Sequence, residues 1–288
     1  VLAAVTASSA PAGPHVLTTL YEDTLPRTTG LYSINSAFDP PSLNIAGKAA
    51  FRVEFNLPSP DYLMVATSTA YRRSVWPVAE TDTFGFLNPE PVINDSDIVV
   101  FNAHIGPAVE DFGVFKGDGT SLFTSVVDTR GGFSVPEGTL TNFRVPPHMN
   151  NAGTVVFVGI LDSGIRGVYT SSGGALTTIT DNQGSDLTAF SRPSINSAGV
   201  VAYRSWFVDG RGHIRIHSSA GGGTVIADSD DGYAIHVGST INDAGYVAFP
   251  AEYASGLNAV VMGNGGPLTT IVDSNGPLDR FLSIALNN

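Results

Sequence analysis

Two positions recur in this chain with side chains suited to holding a ligand. Counted eight and ten residues past a recurring asparagine, they read Arg52 and Glu54, Asn102 and His104, Arg204 and Trp206, and Pro250 and Glu252. The third copy, Val158 and Ile160, breaks the series. An indole can stack on the apolar face of a sugar ring while guanidinium, amide and carboxylate groups bond its hydroxyls. The same residue types also serve as ion pairs between neighbouring sheets, with the tryptophan covering an edge. Arg204 and Trp206 are the pair best suited to a ligand.

Acidic turns are the second chemical candidate. Asp228-Ser-Asp230-Asp231-Gly232 crowds three carboxylates beside a glycine, and Asp181 and Asp273 open comparable turns. Calcium takes about six to eight oxygen ligands, which carboxylates and backbone carbonyls of such turns can supply, although the spacing is not that of an EF-hand. Asp in a turn also caps its own backbone, so both uses stay open. His213 and His217 share a strand face with Arg215 between them, and a cation there opposes zinc. No Gly-x-Ser-x-Gly elbow and no cysteine occur, which leaves a serine triad without its usual frame and excludes thiolate chemistry.

These residues must be positioned by a repeat. PSLNIAGKAAF from Pro41, PVINDSDIVVF from Pro91, PHMNNAGTVVF from Pro147, PSINSAGVVAY from Pro193 and STINDAGYVAF from Ser239 are versions of one phrase. A sixth begins as IALNN at Ile284, and the steps between Asn44, Asn94, Asn150, Asn196, Asn242 and Asn287 are 50, 56, 46, 46 and 45 residues. Repeats of this length, made of short strands, indicate a propeller or solenoid whose units stack because none buries its faces alone.

One unit can be read from Leu187 to Asp228 as a four-stranded meander: Leu187 to Ile195, Val200 to Phe207, His213 to Ser218 and Thr224 to Asp228. In Asn-x-Ala-Gly the glycine takes the φ > 0 position of a hairpin loop, and the Asn is expected to bond its own backbone two residues on. Ala49 and Phe51, Val99 and Phe101, Val155 and Phe157, Val201 and Tyr203, and Val247 and Phe249 fall on one face. Ala50, Val100, Val156, Ala202 and Ala248 fall on the other, so large knobs of one sheet can fill space over small residues of the next. Pro41, Pro91, Pro147 and Pro193 cannot donate to a ladder, which places the first strand at a sheet edge.

Together these predict an all-β fold, a six-bladed β-propeller of four-stranded antiparallel blades forming one domain over residues 1–288. The last blade is shared between or near the two termini: Val1 to Ser9 and His15 to Glu22 resemble third and fourth strands, and Arg280 to Asn288 supplies a first.

The phrases at Pro193 and Ser239 resemble the NxxGxxAF tandem-repeat (choice-of-anchor) proteins, as do Gly138-Thr-Leu-Thr-Asn-Phe, Gly167-Val-Tyr and Leu268-Thr-Thr-Ile-Val-Asp. The blade is also similar to the TolB-like propeller repeat. Asp97 stands where the family has Gly, and residues 58–90 barely match. The resemblance implies an exported or surface propeller and brings no catalytic residues with it.

Composition sets the partners. A net charge of −12 with only Lys48 and Lys116 as lysines excludes nucleic acid and anionic membrane surfaces, which need a basic patch. No apolar run approaches the roughly 18 residues of a membrane span. The expected protein is an extracellular or cell-surface binding module, lectin-like and not an enzyme, that recognises carbohydrate or a surface partner at the rim positions. Calcium is its candidate cofactor. Self-association into a structural assembly is the second reading, and a polysaccharide lyase or glycosidase using Asp39 and Glu90 is the third.

Overall fold

The computed structural model describes residues 42–55, 62–69, 72–80, 84–87, 90–105, 111–118, 123–143, 145–218, 221–235 and 238–275. It also describes the short strands at 2–5, 17–21 and 34–36 and single positions 281, 284 and 286. Period-2 alternation of β-branched and aromatic residues between glycine turns leaves the chain no helical stripe. Accordingly the fold is all-β, built from antiparallel sheets, and the single helical turn among the described residues is the 3-10 turn Ser229–Asp231.

The chain divides into two compact units, residues 1–111 with 115–124 and residues 112–114 with 125–288. In the first unit, Ile34–Ser36, Lys48–Phe55, Tyr62–Thr69 and Arg72–Glu80 make one sheet in that order, with Ser42–Leu43 also on Lys48–Phe55. Val99–Ile105 carries both Val92–Ile93 and Phe84–Leu87 along one edge. Leu2–Val5 pairs antiparallel with Leu17–Tyr21, as third and fourth strands of a unit should.

The second unit holds the most regular repeats. Gly138–Phe143, Val155–Leu161, Arg166–Ser171 and Thr177–Asp181 form the third-repeat sheet, with Ser134–Val135 added outside the first strand. The fourth-repeat sheet runs Leu187–Ile195, Val201–Phe207, Gly212–Ser218 and Gly221–Asp228, close to the expected meander. Gly221 to Gly223, expected in a turn, belong to the strand because Ser218 already pairs with Gly221. The fifth-repeat sheet follows as Tyr233–Ile235, Val247–Tyr253, Asn258–Gly263 and Thr269–Asp273. In the third- and fifth-repeat sheets the proline-bearing or equivalent segment is in two pieces, both paired with the second strand, and in the fourth Leu187–Ile195 pairs with the second strand as one. The expected closing strand, Arg280 to Asn288, lies outside the described residues apart from isolated positions.

The two faces pack as their sizes require. Ala50 lies in one core cluster with Val99 and Phe101 of the following repeat. Val156 and Val158 meet Val201 and Tyr203, and Ala202 meets Val247 and Phe249. In these three pairs the aromatic face of the later sheet sits on the small face of the earlier one, and dense packing of such knobs holds those repeats together.

The asparagine of three of these turns reaches further than its own loop, while Asn94 Nδ2 is buried and unbonded. In every one of the five turns the Asn Oδ1 accepts the N–H four residues on, at Lys48, Ile98, Thr154, Val200 and Tyr246, with distances of 2.9 to 3.0 Å. The expected bond two residues on occurs at Asn94, which accepts from Ser96 as well. In the three that reach further, Nδ2 donates to the carbonyl of the next asparagine in the series: Asn44 to Asn94 at 3.2 Å, Asn150 to Asn196 at 3.0 Å and Asn196 to Asn242 at 3.1 Å. Further rungs run beside it, from Ile93 N–H to Ser42 Oγ at 3.1 Å and from Ile195 N–H to His148 Nδ1 at 3.4 Å. A conserved-looking turn residue is therefore also a strut between repeats, one that no aliphatic side chain could replace.

Gly199 has φ of 80° and Asp97, at the equivalent place, has φ of 64°. An Asp there bears a left-handed strain that glycine escapes. Asp97 is held by its partners in the preceding repeat, accepting from Asn44 Nδ2 at 2.9 Å and pairing with Lys48.

Candidate functional site

The strand Val201–Phe207 alternates between two neighbours. Ala202 and Ile214, the cross-strand partner of Arg204, belong to the cluster that packs against the fifth-repeat sheet. Arg204 and Trp206 continue that same face towards the end of the strand, so the sheet carries a guanidinium and an indole where apolar packing gives out.

Arg204 is 8% exposed. Its guanidinium carbon lies 3.9 Å from the centroid of the Trp206 ring, a cation–π stack. Nε is shielded from water and bonds to nothing, and no carboxylate pairs with the side chain among the described residues. Burial without a counter-ion pulls its pKa below the ordinary guanidinium value, down to about 10, so the group stays charged at neutral pH. Trp206 is half-buried. Gly212, cross-strand from Trp206, is buried and lies against the guanidinium: a Cβ at that position would sit 3.4 Å from Nε and Nη2, in ordinary contact. The arrangement is an uncompensated cation beside an aromatic plate, able to take an oxygen acceptor and a ring face together.

The opposite face of the sheet holds an ionic cluster that sequence reading did not find. Arg215 Nη2 lies 3.1 Å from His213 Nδ1, and a guanidinium can only donate, so the histidine proton sits on Nε2, 2.7 Å from Asp228 Oδ2. Burial lowers the His213 pKa, with Asp228 opposing. Arg211 Nε reaches Asp209 at 2.6 Å and its Nη1 reaches Asp230 at 3.1 Å. Ser205 stands cross-strand from His213, but its Oγ is buried and makes no hydrogen bond, so no nucleophile and base are joined.

A family model matches residues 68–276, well over half of the chain and including Arg204 and Trp206. This chain belongs to DUF7453, a family of unknown function. No curated protein matches it in sequence. Among solved structures it is similar to the uncharacterized protein lmo1340 from Listeria monocytogenes EGD-e, at 11% identity and a TM-score of 0.48, over 82% of this chain and 65% of that one. It is also similar to the Hadza microbial sialidase Hz136, at 10% identity and a TM-score of 0.42, over 78% and 54% of the two chains. Prolyl oligopeptidase B from Galerina marginata matches at 12% identity and a TM-score of 0.49, over 83% and 38%. The chain spans less than two thirds of the length of each.

The other rim residues have different surroundings. Arg52 Nη1 donates to the Leu87 carbonyl at 3.3 Å, and the Glu54 side chain lies outside the described residues. Asn102 is buried with Oδ1 unbonded, and burial lowers the pKa of His104. Glu252 is half-buried opposite Ala234 and Asn258. Of the carboxylates of the enzyme reading, Asp39 lies outside the described residues and Glu90 has φ of 67°.

The acidic turns cap themselves. Asp181, Asp228 and Asp273 each accept the N–H two residues on through Oδ1, at 2.8 to 3.0 Å. Asp228 and Asp230 also face His213 and Arg211, while Asp231 closes the 3-10 turn. Among the described residues no three acidic or histidine side chains gather closely enough to hold a metal ion.

Proposed function

We propose that this protein is a non-enzymatic, exported binding module that recognises carbohydrate at the rim between sheets, centred on Arg204 and Trp206. The single observation that carries the reading is the buried guanidinium stacked at 3.9 Å on a half-buried indole with no counter-ion beside it. A charge left unpaired in a low-dielectric setting costs stability, and an outside ligand is the ordinary reason to keep one. We extend the fold in the same way to six four-stranded blades, on the strength of six asparagine phrases and the stacking of aromatic on small faces from repeat to repeat. Likeness to the NxxGxxAF tandem-repeat proteins supports export to the cell surface.

The test is a glycan array probed with labelled protein, wild type and Trp206→Ala. Binding to a related set of sugars that the variant loses supports the module; a blank array with wild type removes it.

Self-association is favoured by one observation of its own. In the strand Thr269–Asp273, which ends its sheet among the described residues, Ile271 is 55% and Val272 38% exposed, an arrangement of the kind that pairs between chains. Sedimentation over a concentration series separates the two readings, since assembly requires no sugar.

A further inference from the structure

Resting on the carbohydrate reading above, we infer that the Arg204 site selects an acidic sugar, with the ligand carboxylate taken by the guanidinium and the sugar ring laid against Trp206. The geometry asks for an anion. Arg204 is more than nine-tenths buried, its Nε has no acceptor, and its one described companion is an aromatic face, which satisfies charge but no N–H donor. A neutral hydroxyl would accept one bond and leave the charge unbalanced. A carboxylate fills two parallel donors and neutralises the charge, the pairing for which the planar fork is built.

The ligand is narrowed further by its surroundings. The chain carries −12 overall, so its field repels a dense polyanion at long range. On the opposite face of the same sheet, Arg211 is engaged by Asp209 and Asp230 and Arg215 by His213, so no basic tract extends the site. One buried positive charge in an acidic protein fits a ligand that presents one carboxylate at a chain end, and the half-buried indole beside it fits the ring that bears it. The backbone of Gly212 lies against Nε and Nη2, the edge of the fork that binds a carboxylate side-on, with no side chain over it.

The experiment is calorimetric titration of the full chain with α-2,3-sialyllactose and with trigalacturonate, each compared with its carboxyl methyl ester. Wild type, Arg204→Gln, Arg204→Lys and Trp206→Ala are measured side by side. The expected result is that one of the acids binds about tenfold or more tighter than its ester, the gain of one charge-assisted pair. Arg204→Gln removes that difference while leaving ester binding, Arg204→Lys keeps part of it, and Trp206→Ala weakens both forms. Equal binding of acid and ester would overturn the acidic-sugar inference and leave the carbohydrate reading standing. Binding of neutral glycans on the array with no titration by either acid would do the same, and failure of both the array and the titrations overturns both readings.

Discussion

Replacing Arg204 by methionine should make this protein more stable, contrary to the usual effect of a substitution at a buried position. The pKa of the guanidinium falls from its ordinary value to about 10 through desolvation. At about 1.4 kcal/mol per unit this is a cost of about 3 kcal/mol borne by the native state at neutral pH. The stack on Trp206 returns about 1 kcal/mol. Methionine has similar length and no charge, which leaves a net gain of about 2 kcal/mol, or about 4 °C in Tm for a chain of this size. The sign follows from linkage. A cation whose folded pKa lies below its unfolded one is penalised wherever it is protonated, so the penalty is complete below pH 10 and is relieved only as pH rises from there towards the ordinary guanidinium value. The gain from Arg204→Met should therefore be constant from pH 5 to about 9. Scanning calorimetry across that range measures it. A variant that melts below wild type would show that the guanidinium has a partner in solution, and the argument for an awaiting anion would fail with it.

Three more outcomes follow from the same geometry. Asn196→Asp keeps the acceptor for Val200 N–H but loses the Nδ2 bond to the Asn242 carbonyl and brings a charge to a site 5% exposed, so urea denaturation should show a loss of about 2–4 kcal/mol, against little for the exposed Asn264→Asp. His148 accepts the Ile195 N–H on Nδ1, and burial holds its pKa down to about 4. It thus contributes stability that is intact above pH 6.5 and lost as pH falls towards 4, by at most about 3 kcal/mol, and His148→Asn should flatten the fall of Tm with pH in that window. Because Asp228 and Asp230 already face His213 and Arg211, Tm should be the same in excess calcium and in excess chelator, and a rise with calcium would show that the ion displaces those pairs.

Much of the architecture is local and therefore readable. The turn at Asn196 to Gly199 is set by a side chain that bonds its own loop and a residue that accepts φ of 80°, and both can be recognised within four letters. Alternation along Val201–Phe207 assigns Val201 and Tyr203 to one face and Ala202 to the other, because a strand has no other period. Pro193 marks an edge strand for want of an N–H.

What lies between sheets could not be read this way. Arg52 and Arg204 hold the same place in their repeats, yet one donates to the Leu87 carbonyl and the other finds no acceptor, because the neighbouring sheet supplies the partner and its register is not encoded in the strand itself. Asp228 reads as a calcium ligand until the cross-strand pairing with His213 brings an imidazole to it. The asparagine at each turn announces a loop, but the amides of Asn44, Asn150 and Asn196 find the next repeat's carbonyl 46 to 50 residues away only when the two sheets are stacked. The sequence by itself determined the strands, their turns and which side of each is apolar, since those follow from bonds and periods a few residues long. Only the tertiary structure decided which charges are matched and which is left open, since a counter-ion is a neighbour in space.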